Sequence, residues 1–182
     1  QAMGYFTAVL DPDPASPAGL ISHFHIQTPY DDQDGLAQLM QRCEAITTEF
    51  ENVPSGALFT LGAHRPVAPS SACVAIAQDR VKEKAHFVQS APTSGVFPAP
   101  YAAIDTAELL AAAPADLLPG ILKTARMGYD GKGQVRVGTR DELAAAWAQL
   151  GRVPCVLEKL MPLRAECSVI VARGADGSCV SY

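Results

Sequence analysis

Residues 122–137 read Leu122-Lys123-Thr124-Ala125-Arg126-Met127-Gly128-Tyr129-Asp130-Gly131-Lys132-Gly133-Gln134-Val135-Arg136-Val137. The segment begins as an apolar strand with a basic end, passes through a loop with three glycines in six residues, and continues as a strand of alternating residues. Glycines leave backbone N–H groups open to phosphate oxygens and allow positive φ. Lys123 and Lys132 add positive charge, and Gln134 adds a directional amide. This combination favours a phosphate-binding hairpin over an ordinary glycine-rich turn, which is the alternative for a lone Gly-x-Gly.

The composition excludes several classes of protein. The 182 residues, 48% of them hydrophobic, can bury one full core or two small ones. A net charge of −5 provides no basic field for nucleic acid or an anionic membrane, so we expect neither as a partner. No apolar run reaches the ~18 residues of a membrane-spanning helix, and no signal-peptide pattern is found. Five cysteines without a C-x-x-C pair predict a reduced, cytoplasmic protein without a zinc site, in which Cys155 and Cys179 are small buried apolar residues.

Short strands and helices alternate over the first 72 residues, as in an α/β fold. The periodicity predicts strands at 6–10, 22–27 and 45–48 and helices at 34–43 and 54–61. Residues 1–4 look like the last turn of a helix. Because the strand and glycine-rich turn of a mononucleotide-binding unit do not precede it, we expect the chain to begin within a domain. His23 and His25 share a strand face with no third ligand nearby, which favours a solvated face over a metal site.

An acidic stretch follows the third of these strands. Glu49 lies where ligands bind in open α/β sheets, just beyond a strand end, so it is a candidate ligand contact. The alternative is that Glu51 or Asn52 caps the helix that follows.

The rest of the chain predicts a smaller α+β layer. A proline-rich segment at 66–71 marks the expected boundary between domains at 1–72 and 73–182. Arg80, Lys82 and Lys84 alternate with acids on a predicted helix, which is typical of a solvated face. Thr139 and Glu142 have the spacing of a capping box. The pattern predicts helices at 73–89, 106–113 and 140–150, a linker at 91–100, and strands at 154–160, 166–173 and 179–182.

Four motifs carry a resemblance to a known family. They are Glu49-Phe50-Glu51-Asn52-Val53-Pro54, Gln78-Asp79-Arg80 with Lys84, Lys123-Thr124 leading to the loop 128–134, and Glu158 eight positions before Glu166-Cys167-Ser168. In this order and spacing the chain resembles the 5-(carboxyamino)imidazole ribonucleotide synthetases, the ATPase subunits of phosphoribosylaminoimidazole carboxylase, in the ATP-grasp superfamily. The resemblance covers essentially the whole chain. It implies an α/β fold, with a partial Rossmann-like pre-ATP-grasp domain at 1–72 and the small α+β subdomain of an ATP-grasp domain at 73–182, whose flap is the loop 128–134.

The resemblance also implies roles for individual residues. The groups near the ATP phosphates would be Arg80, Lys123, Gly128, Gly131, Gly133 and Gln134. Adenine would contact Glu158, Lys159 and Leu160, and the ribose hydroxyls would donate to Glu166. The aminoimidazole ribonucleotide would contact Glu49, Tyr129, Asp130 and Lys132, and the catalytic residues would be Lys123, Asp130 and Lys132. Without the family, Glu158 and Glu166 could be surface acids at strand ends.

The implied reaction is the ATP-dependent carboxylation of 5-aminoimidazole ribonucleotide by bicarbonate in purine biosynthesis, by a homodimer. Mg²⁺ is implied as well, but after Glu166 the only acid is Asp176, so we expect the metal ligands beyond Tyr182 and the chain alone to be inactive. One alternative is a sister ATP-grasp ligase, such as a formate-dependent glycinamide ribonucleotide transformylase or a biotin carboxylase. Another is a non-catalytic nucleotide-binding or assembly module.

Overall fold

The computed structural model describes residues 3–128 and 131–182. The first two residues of the helix end predicted at 1–4 lie outside the described residues, as do the predicted contacts of Tyr129 and Asp130. Gly4, the expected last residue of that helix end, has φ of 84°. Within the described part, no helix is both long enough and apolar enough to cross a membrane.

The first part of the chain pairs short parallel strands and covers them with helices. β1 pairs with β2 and β3 pairs with β4, both in parallel, as expected for an α/β unit. Its elements are β1 (Ala8–Leu10), α1 (Pro17–Ile21), β2 (Phe24–Ile26), α2 (Gln33–Arg42), β3 (Ile46–Thr47), α3 (Ser55–Gly62), β4 (Val67–Ala68) and α4 (Ser71–Ala77). Its core consists of Ile26, Leu36, Leu39, Ile46, Ala57, Leu58, Leu61 and Val74.

The segment predicted as a domain boundary belongs to this first unit. Val67–Ala68 forms β4, which pairs with β3, and Val74 of α4 is buried in the first core. Because α4 packs on α3, we propose that the division between the two units falls after Ala77 rather than at residue 72.

The single helix predicted at 73–89 is wrong, because two helices meet there. Asp79 has φ −134° and its carboxylate accepts hydrogen bonds from the N–H groups of Val81 and Lys82, so it caps a new helix. This helix, α5 (Arg80–Ser94), continues through Pro92 and ends at Gly95, whose φ is 70°. The predicted linker therefore begins at Gly95 rather than at residue 91.

The second unit is built on one antiparallel sheet in the order β5-β8-β6-β7. Its elements after α5 are β5 (Tyr101–Ile104), α6 (Ala107–Ala112), a 3₁₀ turn (Ala115–Leu117), β6 (Gly120–Thr124), β7 (Gln134–Val137), α7 (Arg140–Gln149) and β8 (Cys155–Lys159). One face of the sheet packs into a core that includes Ile104, Leu122, Leu143, Trp147 and Leu157. The hairpin that the sequence predicts at 122–137 is confirmed, since Lys123 pairs with Gln134 and Leu122 with Val135.

The capping box of α7 forms only in part. Thr139 accepts from the N–H of Glu142 at 3.2 Å, as predicted. The Glu142 carboxylate accepts from the N–H of Gly138, one residue before the cap, rather than from Thr139. The helix ends before Gly151, whose φ is 78°.

The opposite face of the sheet is polar because side chains alternate along each strand. Glu158 lies opposite Tyr101 on β5 and opposite Ile121 on β6, and directly paired residues share a face. Lys123 is two residues beyond Ile121 and Gln134 is opposite Lys123, so both lie on this same face. Glu158, Lys123 and Gln134 therefore share the sheet face that is turned away from the core.

The last segment is less regular than predicted. The strand expected at 166–173 is confined to β9 (Val171–Arg173), which forms an antiparallel hairpin with β10 (Cys179–Ser181). Because no described layer covers this hairpin, both strands are exposed along their whole length, so the predicted burial of Cys179 is wrong. Cys155, in contrast, is 1% exposed in β8.

We expect the thiol of Cys155 to resist modification in the folded protein. Burial raises the pKa of Cys155 to about 11, so little of its thiolate is present at about pH 8. Ellman's reagent should label the exposed Cys73, Cys167 and Cys179 quickly and Cys155 only after denaturation. Peptide mass spectrometry of briefly labelled protein would measure this. Fast labelling of Cys155 without denaturant would contradict the prediction.

Candidate active site

A buried ionic cluster lies on the polar face of the sheet. Glu158 on β8 is 8% exposed, and one of its oxygens, Oε2, contacts two ammonium groups. Lys123 Nζ on β6 lies 3.0 Å from this oxygen, and Lys84 Nζ on α5 lies 3.2 Å from it. The cluster therefore joins one carboxylate to two cations and carries a net positive charge.

Lys84 is not on the solvated helix face that the charge pattern predicts. Its side chain is 12% exposed, and its ammonium lies 5.9 Å from the centre of the Tyr101 ring as well as against Glu158. Lys82, the next lysine on α5, is exposed as predicted. The difference arises because only one side of α5 packs on the sheet, near β8.

Arg80 holds the start of the glycine-rich loop. Its Nε donates to the carbonyl of Thr124 and its Nη2 to the carbonyl of Gly128, each at 3.1 Å. Its backbone N–H donates to the carbonyl of Ala125 at 2.8 Å. Arg80 is therefore not solvated either. A guanidinium has five N–H donors, so these two side-chain bonds leave donors for an anion, and the predicted nucleotide contact stays a prediction.

The glycines of the loop meet two separate requirements. Gly131 and Gly133 have φ of 77° and 69°, in the left-handed region where side chains are disfavoured. A Cβ on Gly133 would also lie 2.6 Å from Oγ1 of Thr124, whose N–H donates to the Gly133 carbonyl at 2.8 Å. Gly133 thus closes the hairpin directly against β6, while Lys132 lies between the two glycines.

Because the resemblance implies that this loop binds ATP, we expect Gly133→Ala to weaken ATP binding about tenfold. A left-handed alanine costs about 1–2 kcal/mol, and its methyl group displaces Thr124. Isothermal titration calorimetry would measure the Kd. Gly56→Ala is the matched control, since a Cβ at Gly56 meets nothing within 4 Å. Equal Kd values for the two variants would contradict this role of Gly133.

Residues 49–54, here called the acidic turn, are connected to the hairpin by hydrogen bonds of Gln78. This side chain is 6% exposed, and its Nε2 donates to the carbonyls of Glu51 and Val53. Its Oε1 accepts from Nη2 of Arg126 at 3.2 Å, at the base of the glycine-rich loop. The turn and the loop line a shared cavity of about 140 Å³.

The capping alternative for the acidic turn is wrong. Pro54 is the N-cap of α3, and no side-chain capping hydrogen bond is made there. Glu49 is exposed and lines a separate, largely apolar cavity of about 430 Å³ in the first unit. Glu49 thus remains open to a ligand, although not in the cavity that Gln78 borders.

The end of β8 leaves two backbone carbonyls without a hydrogen bond from the neighbouring strands. The N–H of Lys159 donates to the carbonyl of Pro100 at 2.9 Å, and the N–H of Leu160 donates to that of Pro119 at 3.0 Å. Both amides of the predicted adenine contact are therefore engaged. Because proline has no N–H, Pro100 returns no hydrogen bond to the carbonyl of Lys159, and Pro119 returns none to that of Leu160. Both carbonyls can accept from an exocyclic amine.

The structure does not bring Glu166 into the buried cluster. Glu166 is exposed in the irregular segment between β8 and β9, and within the described residues its carboxylate takes part in no ion pair. Glu158 differs, because it is buried on a strand. The reading of Glu158 as a surface acid is therefore wrong.

The sequence pattern does not identify two cations of the polar face as site residues. The alternating charges of α5 predict a solvated Lys84, and none of the four motifs includes Arg136. Arg136 lies opposite Ile121 in the sheet and so shares the face of Lys123 and Gln134. The alternation along β7 would have identified Arg136, whereas the burial of Lys84 depends on where α5 packs.

The described residues contain no set of metal ligands. In residues 3–128 and 131–182, no group of three His, Cys, Asp or Glu side chains is placed to hold an ion. His23 and His25 are instead satisfied locally, His23 by Thr7 and His25 by the carbonyl of Asp11. The described residues therefore do not form a Mg²⁺ site.

A strand-borne lysine beside a glycine-rich antiparallel hairpin is an arrangement that suits the phosphates of a nucleotide. Residues 89–182 match the ATP-grasp domain, and residues 1–78 match the ribonucleotide synthetase preATP-grasp domain. The chain therefore belongs to the ATP-grasp family. The predicted fold class, a pre-ATP-grasp domain followed by an ATP-grasp domain, is confirmed.

The chain is similar to enzymes named N5-carboxyaminoimidazole ribonucleotide synthase or synthetase. The N5-carboxyaminoimidazole ribonucleotide synthase of Brucella melitensis is 41% identical over an alignment 182 residues long. The alignment covers 98% of this chain and 49% of the relative. The Staphylococcus aureus synthetase complexed with ADP superimposes with a TM-score of 0.88 at 32% identity, over 100% of this chain and 48% of that one. The Aspergillus clavatus synthase in complex with ADP and 5-aminoimidazole ribonucleotide has a TM-score of 0.77 at 26% identity, over 96% and 45%. The chain spans about half the length of the curated relatives it matches.

Proposed function

We propose that the protein carrying this chain carboxylates 5-aminoimidazole ribonucleotide with ATP and bicarbonate, in purine biosynthesis. The observation that carries the proposal is the position of Lys123. It lies on the polar sheet face, on the strand that leads into the glycine-rich loop. The similarity to synthases of this name over nearly the whole chain supports the same substrates.

The ATP would lie on the polar face of the second sheet. Lys123 and the N–H groups of the glycine-rich loop bind the phosphates, since these groups supply positive charge and open amides. The Lys159 carbonyl accepts from the adenine amino group, and Glu166, exposed in the segment after β8, accepts from the ribose hydroxyls.

The aminoimidazole ribonucleotide would bind in the cavity of the first unit that Glu49 lines. Tyr129, Asp130 and Lys132 of the loop would contact it from the side of the hairpin. Gln78 supports this placement because it fixes the turn and the loop to each other through Glu51, Val53 and Arg126.

The chemistry proceeds in two transfers. A bicarbonate oxygen attacks the γ-phosphorus of ATP, and the bond to the β–γ bridging oxygen breaks, giving carboxyphosphate and ADP. The amine nitrogen of the ribonucleotide then attacks the carboxyl carbon, phosphate leaves, and the nitrogen loses a proton. The protein contributes positioning and neutralisation of charge rather than a covalent intermediate.

The loop has a further role in this proposal. Carboxyphosphate hydrolyses readily, so water must be excluded while the second transfer takes place. A hairpin closed by glycines at positive φ can open to admit substrates and then cover the intermediate.

Three further properties belong to the proposal on the strength of the family resemblance alone. They are a requirement for Mg²⁺, a homodimeric assembly and a location in the cytoplasm.

The test is phosphate release from ATP by the protein that the longest reading frame containing this chain encodes. This protein is hereafter called the full frame. In bicarbonate buffer, aminoimidazole ribonucleotide should stimulate release strongly, and the carboxylated product should appear in equal amount. Glycinamide ribonucleotide with formate should not stimulate it. Stimulation by that second pair would point to the sister ligase, and no stimulation by either would overturn the proposal.

A further inference from the structure

Lys84 shares a single carboxylate oxygen with Lys123. Glu158 Oε2 lies within 3.2 Å of both ammonium groups, and the three side chains are between 11% and 21% exposed. One carboxylate needs only one cation for charge balance, and burying a second ammonium is costly unless that charge is used. The second cation therefore calls for a functional explanation.

The two lysines differ in their freedom to leave the carboxylate. Lys123 is the more exposed of the two, at 21%, and lies on β6 just before the glycine-rich loop. Lys84 is 12% exposed, lies on α5, and has the Tyr101 ring near its ammonium. An arriving phosphate can therefore reach Lys123 while Lys84 stays in place.

Removal of Lys123 from Glu158 would be unfavourable if Lys123 were its only partner. A buried carboxylate without a cation is strongly destabilised, so a phosphate would have to compete with Glu158 for Lys123. With Lys84 at the same oxygen, Glu158 stays neutralised after Lys123 moves.

We propose that Lys84 is a positioning residue that holds Glu158 and so allows Lys123 to transfer its ammonium from Glu158 to a phosphate of the nucleotide. The inference rests on the proposed ATP site and extends it by a residue that the family resemblance leaves without a role. It concerns binding of phosphate groups only and requires neither bicarbonate nor the aminoimidazole ribonucleotide.

The test uses inorganic tripolyphosphate, which has phosphates but no base, so any contact of Glu158 with adenine does not affect the result. Calorimetry on the full frame would compare wild type, Lys84→Met, Lys84→Arg and the exposed control Lys82→Met. We expect Lys84→Met to raise the Kd about ten- to hundredfold, the loss typical of a charge-assisted contact. Lys84→Arg should restore most of the affinity, and Lys82→Met should match wild type.

A second variant separates this role from simple support of the fold. In the Lys84→Met background, Glu158→Gln removes the charge that retains Lys123, so tripolyphosphate binding should recover. A purely structural Lys84 predicts no recovery. If Lys84→Met does not fold, Glu158→Gln alone should bind tripolyphosphate more tightly than wild type.

Unchanged affinity in folded Lys84→Met would overturn the inference. So would weakened affinity that Glu158→Gln fails to restore, or weaker binding by Glu158→Gln alone. A failure of the proposed function looks different, because it leaves these tripolyphosphate affinities in the expected order while aminoimidazole ribonucleotide gives no stimulation.

Discussion

Replacing Lys123 by methionine in the full frame should lower kcat/KM for ATP about 100- to 1000-fold, the usual loss when one preorganised electrostatic group is removed from an active site. Lys123 is the cation placed on the sheet face immediately before the glycine-rich loop, and methionine keeps its length while removing its charge. Because γ-phosphoryl transfer gathers negative charge on the phosphate oxygens, we expect kcat to fall and not only KM to rise.

The measurement is ATP-dependent phosphate release in bicarbonate with saturating aminoimidazole ribonucleotide. Lys82→Met is the control, since Lys82 is exposed on α5. Its substitution removes the same charge from the protein as a whole. If Lys123→Met retains activity within about threefold of that control, the charge of Lys123 does not act on the transferred group.

The position of Lys123 on the strand before the glycine-rich loop could be predicted because it depends only on residues close to it in the chain. The strand, the three glycines and the second strand are contiguous, so composition and alternation alone predict the hairpin and a lysine before it. The parallel pairs of the first unit could be predicted for the same reason, because strand and helix alternate at short spacing.

Lys84 and Glu158 could not be predicted in the same way. Their contact depends on α5 packing against β8, and an alternating charged helix has the same pattern whether one side is buried or none is. Asp79 shows a related difficulty. A helix cap and a charged helical residue have the same composition, and only the backbone at φ −134° distinguishes them.

The backbone contacts at the end of β8 also lie beyond sequence reasoning. Both prolines that receive these amides, Pro100 and Pro119, precede strands that are distant in the chain from Lys159. The sequence indicates a strand that ends in polar residues, but which of its amides remain open is decided by its neighbours in the sheet.

Among the proposed substitutions, truncation of Leu122 should lower the free energy of unfolding most. Leu122 is 0% exposed and lies on β6 between Leu157 and Val135, in the core of the second unit. Leu122→Ala removes buried methyl groups and leaves a cavity that central strands cannot close, so we expect the free energy of unfolding to fall by about 3 kcal/mol. Leu163→Ala, at a leucine that is 67% exposed, is the matched control and should change it by less than about 0.5 kcal/mol.

Urea unfolding followed by Trp147 fluorescence measures this loss in the right place. Trp147 is the only tryptophan of these 182 residues, and it packs in the same core as Leu122, so its contribution to the emission reports the second unit. Leu122 and Lys123 are neighbours that face opposite sides of β6, and the strand that buries Leu122 therefore also orients Lys123. We accordingly expect Leu122→Ala to weaken nucleotide binding as well, whereas Lys123→Met should leave the unfolding midpoint close to that of the wild type. If Leu122→Ala matched Leu163→Ala in stability, the packing of β6 against α7 would not be the core that holds the site.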